Sequence, residues 1–281
     1  MKIRSIVALA RPVNSLTVGG AVVVGEIVAL RSLPSIHEAL LGFLTGLFIS
    51  SSAMVLNDYF DVEVDKVNAP HRPLPMETIS IPEAMLLATA ASAAGLIAAG
   101  LLSWLNLAIA AMFWMVGFLY NWRFKATGLP GNVFVSTSVG IPFIYGGVSV
   151  GDPSNMILWS FFVVAFLANM GREVAKGIID VRGDELRDAK TVARMWGAGV
   201  AAHMSSLFLF SAILFSFVPY FLGWLGRVYF AMIMLSDVVM AYPALELLRS
   251  RTPMEVRRRK RQILLGMFLG LLAFVVGGVY A

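Results

Sequence analysis

The 281-residue chain has no cysteine and only three histidines, His37, His71 and His203, which are scattered along it. This excludes a disulfide scaffold, a thiol nucleophile and a Cys- or His-based metal site. Charged residues are scarce as well, at 14% against about a quarter in soluble domains. Hydrophobic residues make up 58%, more than one water-facing core can absorb, so an ordinary soluble globular protein is excluded. Disorder is excluded on the same ground, and Gly and Pro show no collagen-like period. The net charge of +5 and pI near 9.6 would suit nucleic acid, but the bases sit where a membrane surface would meet them, and no nucleic-acid partner is expected.

What the chain does have is long apolar runs. A bilayer-spanning helix needs about 20 predominantly apolar residues. Segments 39–57, 84–122, 126–151, 153–171, 195–226 and 262–281 are free of charge, and 84–122 is long enough for two spans. Segment 12–30 carries only Glu26 and segment 228–245 only Asp237, tolerable if those carboxyls face protein or water. The expected fold is therefore all-α and polytopic, with nine transmembrane helices. Ser80 with Glu83 and Thr252-Pro253 with Glu255 read as capping boxes, and Asp152-Pro153 reads as a helix start. Within 84–122 the only plausible turn is Ser103-Trp104-Leu105-Asn106.

With nine spans, all but Arg31 and Arg227 of the 22 Lys and Arg residues fall on one side. The positive-inside rule makes that side cytoplasmic, with the N-terminus and the long loops, in an integral cell membrane. The apolar stretch 5–10 is too short for a signal-peptide core and runs into Arg11, so no cleavable signal is expected. The cluster Arg257 to Arg261 reads as a topology signal for anionic headgroups.

Two segments break the apolar pattern with carboxylates. After the second span, Asn57, Asp61 and Asp65 recur every four residues, the spacing of one helical face, with Asp58 beside them. After the sixth, Asp180, Asp184 and Asp188 repeat that spacing. Carboxylate oxygens are hard ligands suited to Mg²⁺, which completes its shell with water and substrate phosphate. Arg11, Arg72, Lys125, Arg172 and Lys176 stand around both rows and are residue types that bind phosphate oxygens. Acid rows and bases at a membrane opening predict a Mg²⁺-diphosphate site whose organic tail lies in the bilayer. An ion-coupled secondary transporter is the more distant reading, since transporters place such carboxylates near the midplane and not at helix ends.

These motifs carry a family resemblance. Asn57-Asp58-Tyr59-Phe60-Asp61-x-x-x-Asp65, followed by Arg72-Pro73-Leu74, resembles the first signature of the UbiA-type intramembrane prenyltransferases. Asp180-Val181-Arg182-Gly183-Asp184 resembles the second, and Leu119-Tyr120-Asn121-Trp122-Arg123-Phe124-Lys125 with Gly131-Asn132 resembles their Tyr-Lys element. The resemblance extends across the chain. It implies one membrane domain, 1–281, whose helix bundle encloses a central cavity under cytoplasmic cap loops at about 58–82 and 172–196.

It also implies Mg²⁺ held by Asn57, Asp61 and Asp180 or Asp184, with Asp65 and Asp188 one turn farther out and Asp58 adjoining. Arg72, Tyr120 and Lys125 would contact the diphosphate or its transition state. The segments 65–75 and 172–176 are most similar to the archaeal ether-lipid branch, whose members add a second geranylgeranyl chain, from geranylgeranyl diphosphate, to geranylgeranylglyceryl phosphate. That branch often has acidic residues where this chain has Gly177 and Ile179. Arg11 and Lys176, with Arg172 nearby, are the candidate clamps for such an acceptor's phosphate. An aromatic or tetrapyrrole acceptor is the alternative within the family, and no obligate protein partner is implied.

Overall fold

The computed structural model describes residues 2–186, 188–249 and 252–280. Arg187 and Arg251, counted above among the basic residues, and Ala281, the end of the last expected span, lie outside them. Among the described residues every regular element is helical. A helix satisfies its backbone within one segment, as a chain in hydrocarbon must.

The amphipathic α1 (Lys2–Ala10) leads into α2 (Pro12–Leu30) and α3 (Ile36–Phe60), which resumes after Asp61 as α4 (Val62–Asn68). Next come α5 (Ile81–Leu102), α6 (Trp104–Leu119) and a π-helical turn, Tyr120–Phe124. The second half runs α7 (Leu129–Ser149), α8 (Met156–Ile179), the short α9 (Val181–Leu186) and α10 (Val192–Ser216). It ends with the single turn α11 (Val218–Phe221), α12 (Arg227–Leu247) and α13 (Pro253–Val279).

Eight helical segments among the described residues are long and apolar enough to cross a membrane, which makes this a multi-pass integral membrane protein. The count is one short of the nine expected. The remaining long helix, α7, covers the expected 126–151 span but is not among the eight. Asn132, Ser136, Ser138, Pro130 and Pro142 dilute its apolar character. Such a helix suits the interior of the bundle, and α7 packs against both α2 and α8.

The turn at Ser103 divides α5 from α6 as expected: its backbone is extended and its hydroxyl accepts from the Asn106 N–H. The boxes at Ser80 and Thr252 form, and Ser35 with Glu38 makes a third at α3. Asp152-Pro153 does not open a helix. There the chain turns, and α8 starts at Met156 because the Asn155 side-chain oxygen accepts from two otherwise free amides, those of Ile157 and Leu158. At the last span the helix begins at Pro253, so Arg257 to Arg261 lie on α13 itself.

In the second half, α8, α10, α12 and α13 share a core of Val174, Ala175, Ile178, Leu209, Met240, Leu247, Val256 and Ile263. Phe143, Phe161, Tyr229 and Phe274 join α7 to that assembly, while Leu9, Val55, Leu56, Ala84 and Ala88 tie α1, α3 and α5 together. Helices in lipid associate through close packing of small residues, because lipid tails are as apolar as any side chain. The α2–α7 crossing shows this from both sides. A Cβ on Gly25 would come to 2.2 Å from the Phe143 carbonyl oxygen, and one on Gly146 to 2.1 Å from that of Val22.

Candidate active site

A cavity of about 980 Å³ opens between α2, α3, α6, α7 and α8. It reaches from the helix ends that carry the acidic segments to the deep residues Val22, Thr45, Ala110 and Tyr145. Its two ends differ in chemistry. The mouth holds five carboxylates, Asp61, Asp65, Glu173, Asp180 and Asp184, and five bases, Arg11, Arg72, Lys125, Arg172 and Lys176. Deeper, the wall is mostly apolar, with Val18, Ile49, Ala53, Phe113, Val116, Val139 and Ile141.

The first acidic segment reaches the mouth because the backbone at Asp61 stays near helical values and the chain coils straight on into α4. Asn57, Asp61 and Asp65 therefore keep their common face and line the cavity. Asp61 is paired with Lys125, and Asp65 accepts from Arg72 at 2.5 Å. Asp58 does not line the cavity. It is 2% exposed and binds both Arg11 and Arg72, the latter at 3.3 Å, so it anchors two bases of the mouth from behind. Its expected place among metal ligands gives way to that role, since it points off the Asn57–Asp61–Asp65 face.

The second segment departs further from its expected geometry. Helix α8 ends at Ile179 with Asp180 capping it, α9 ends at Leu186, and Asp188 lies at φ 49°, outside helical values. Asp180 and Asp184 line the cavity, whereas Asp188 is exposed and bridges to Arg194 at 2.7 Å. Four-residue spacing puts side chains on one face only while a helix continues, and here it stops two residues short of Asp188.

Tyr120 and Lys125 enter the wall from the π-helical turn. The Lys125 N–H donates to the Tyr120 carbonyl five residues back, at 2.9 Å. The wider turn brings Tyr120, Asn121 and Lys125 to one cavity, and such π segments recur at functional sites. Asn57 donates to Asn121 at 2.8 Å, tying the turn to α3.

Across the mouth, Arg172 is held by Glu173 at 2.7 Å and by the buried Asn169 at 3.1 Å, and Lys176 also reaches Glu173, at 3.3 Å. Glu173 and Asn169 are sites that the sequence did not mark, and Asn121 lies inside the Tyr-Lys element without a role assigned to it there. Glu173 lies within the motif 172–176, where its position between two bases was the available signal. Asn121 had its place beside Tyr120 in the Tyr-Lys element as a signal, whereas Asn169 carries none that sets it apart from other polar residues of a membrane helix.

Among the described residues no three acidic or histidine side chains converge closely enough to hold a metal by themselves. The donor set nevertheless fits Mg²⁺ brought in by a diphosphate. It is all oxygen, comes from two opposed helix ends, and needs substrate phosphate to complete an octahedron, the arrangement Mg²⁺ prefers. Equal numbers of acids and bases at the mouth leave it near neutral, so a diphosphate arriving with its own cation disturbs that balance less than a bare anion does.

A family model, "UbiA prenyltransferase family", matches residues 18–279. The chain is 33% identical over 279 residues to the digeranylgeranylglyceryl phosphate synthase of Thermococcus kodakarensis, covering 99% of each. It is 35% identical over 278 residues to the enzyme of that name from Methanopyrus kandleri, covering 97% of this chain and 98% of the other. A solved structure concerned with digeranylgeranylglyceryl phosphate synthase in membranes aligns at TM-score 0.87 and 26% identity, over 100% of this chain and 99% of that one. A UbiA homologue from Archaeoglobus fulgidus, bound to GPP and Mg²⁺, shares the fold at TM-score 0.67 and 17% identity, over 96% of this chain and 99% of that one.

Proposed function

Because the chain belongs to the UbiA prenyltransferase family, we propose that it transfers a geranylgeranyl group from geranylgeranyl diphosphate to geranylgeranylglyceryl phosphate, as its archaeal relatives' name indicates. The observation that carries this reading is a single cavity with two opposed carboxylate pairs and five bases at its mouth and an apolar interior behind them. A lipid diphosphate has that same division between head and tail. In this reading the mouth and the N-terminus face the cytoplasm, supported by the crowding of Lys and Arg at that end.

Asn57, Asp61 and Asp65 on one side and Asp180 and Asp184 on the other would hold Mg²⁺. When bound, Mg²⁺ supplies Lewis-acid neutralisation of the diphosphate's charge. Lys125 and Arg72 are now paired with Asp61 and Asp65. When those carboxylates turn to the cation, both bases can turn to the leaving oxygens, with Tyr120 beside them. Donors aimed where charge grows in the transition state stabilise it at little reorganisation cost. The C1–O bond to diphosphate breaks and the acceptor hydroxyl oxygen bonds to C1. Its proton passes to a carboxylate of the mouth or to the departing diphosphate. The apolar wall keeps water from intercepting the allylic cation.

An acceptor bearing its own phosphate needs a second cationic patch. Arg172 and Lys176, across the mouth from Lys125 and Arg72, support that assignment, as does Arg11 on the α2 side. The test is transfer by purified protein, with Mg²⁺ or with EDTA, from geranylgeranyl diphosphate to a panel of acceptors. Mg²⁺-dependent ether formation on geranylgeranylglyceryl phosphate is the expected result. Transfer only to aromatic acceptors would overturn the acceptor assignment, and no transfer at all would overturn the donor.

A further inference from the structure

Two polar side chains meet between membrane helices beside the mouth, at a place where apolar packing would suffice. Ser136 of α7 is fully buried and Asn169 of α8 is 1% exposed. The Asn169 amide nitrogen donates to the Ser136 hydroxyl at 3.1 Å, which leaves the amide oxygen to accept from Arg172 Nη1, also at 3.1 Å. An asparagine side chain donates at one end and accepts at the other, so the Ser136 contact fixes which end Arg172 meets. A third helix secures the α8 backbone at the same level, where the Ser205 hydroxyl of α10 donates to the Gly171 carbonyl at 2.7 Å. Glu173 takes the second bond from Nη1, at 2.7 Å. Arg172 Nε is buried without a partner, and Nη2, which is not sealed, has none among the described residues. Since Arg172 lines the cavity, Nη2 is the donor left for a ligand.

We propose that Asn169, oriented by Ser136, is a positioning residue for the acceptor: it fixes the Arg172 guanidinium so that Nη2 and the nearby Lys176 ammonium grip the acceptor's phosphate. The inference rests on the assignment of Arg172 and Lys176 to that phosphate. An arginine side chain has many rotamers, and ordering it at the moment of binding costs affinity. Held in advance at Nη1 by two acceptors, it has less freedom left to lose. Glu173 cannot do this alone, because it is shared with Lys176 at 3.3 Å and its charge opposes an incoming anion. Asn169 is neutral, so it orients the guanidinium without cancelling the charge that a phosphate needs. Arg72 and Lys125, the bases assigned to the donor's diphosphate, are held instead by Asp65 and Asp61, and the Ser136–Asn169 pair does not reach them. The plainer role for such a pair is polar glue between α7 and α8, which would act on stability and not on one substrate.

The experiment measures KM and kcat for geranylgeranylglyceryl phosphate and for geranylgeranyl diphosphate in the unaltered protein, Asn169→Leu, Arg172→Gln and the double variant, with a melt of each preparation. Leu keeps the branched shape and removes both hydrogen bonds. Asn169→Leu is expected to raise the acceptor's KM about tenfold, with the donor's KM unmoved and kcat changed less. The double variant is expected to bind the acceptor no worse than Arg172→Gln alone, because Asn169 acts only through Arg172. An unmoved acceptor KM in folded Asn169→Leu, or losses that add in the double variant, would overturn the proposal and leave the pair as glue seen only in the melt. If Asn169→Leu does not accumulate as folded protein, Ser136→Ala, which removes the hydroxyl that orients the amide, decides by the same KM values and the same pairing with Arg172→Gln. Failure of the acceptor assignment looks different: Arg172→Gln by itself would then leave the acceptor's KM as it was, and the proposal would fall with it.

Discussion

Replacing Asp61 with Asn removes one charge and almost no volume, so it separates the electrostatic role of that carboxylate from its packing. Asp61 is 7% exposed and paired with Lys125, whose side chain is 21% exposed. If the carboxylate holds Mg²⁺ during turnover and frees Lys125 for the diphosphate, the substitution weakens both contacts at the leaving group. Losing one preorganised electrostatic contact of this kind costs about 3 kcal/mol of transition-state stabilisation, or on the order of 100-fold in kcat. The resting protein feels a different loss, since Lys125 keeps its charge in a partly buried place with one partner fewer. That costs about 1–3 kcal/mol of stability. Combining Asp61→Asn with Lys125→Gln removes both charges, so the thermal midpoint recovers part of its loss while transfer stays down. Single-turnover transfer at saturating Mg²⁺, measured beside melting of the same preparations, reads both effects. An Asp61→Asn enzyme within tenfold of the unaltered one, or recovery of transfer in the double variant, would refute the reasoning by showing the pair to be structural only.

Asp58→Asn loosens Arg72 and Arg11 together from behind, so the KM values for geranylgeranyl diphosphate, through Arg72, and for the acceptor, through Arg11, are each expected to rise about tenfold while the Mg²⁺ concentration for half-activity holds; steady-state titrations of each distinguish this from metal ligation, which would shift the Mg²⁺ requirement. Asp188→Ala, at an exposed position outside the cavity, is expected to change stability by less than about 0.5 kcal/mol and to leave transfer as it was, and a large loss of transfer would return Asp188 to the site. Gly146→Ala forces α2 from α7, because the new Cβ would lie 2.1 Å from the Val22 carbonyl oxygen; an overpacking cost of about 1–3 kcal/mol should lower the melting temperature by several degrees, and an unchanged melt would mean the crossing relaxes freely. The natural absence of cysteine allows single-Cys labelling without background: Glu77→Cys should react with an impermeant maleimide only from the cytoplasmic side and Asp152→Cys only from outside, and the reverse pattern would invert the proposed orientation.

Much of this protein was legible in its sequence, for a definite reason. A bilayer imposes length and apolar composition segment by segment, so 12–30, 84–122 and 228–245 declare their helices without knowledge of what they pack against. Capping is equally local: Ser80 with Glu83 and Thr252 with Glu255 set helix starts within four residues of chain. The first acidic row was readable because α3 and α4 keep nearly continuous helical geometry through Asp61, and four-residue spacing then means a shared face.

What the sequence alone left undecided depends on where the chain bends and on which helices meet. Asp180, Asp184 and Asp188 have the same spacing as the first row, yet the break at Asp180 and the end of α9 at Leu186 send Asp188 to the surface beside Arg194. Asp58 looks like any member of the acidic cluster until folding brings Arg11, 47 positions away, against it. The π-helical turn that brings Tyr120 to the cavity wall and Lys125 to Asp61 inserts no unusual residue and leaves no mark in composition. The buried polar groups deep in the bundle are the plainest case: Glu26 stands out as the one charge of its span, but nothing in the sequence says that it packs near Asn106 and Tyr145, on two other helices far along the chain. Only helix packing, which in lipid is set by shape complementarity such as the Gly25–Gly146 crossing and not by hydrophobic pattern, brings them near one another.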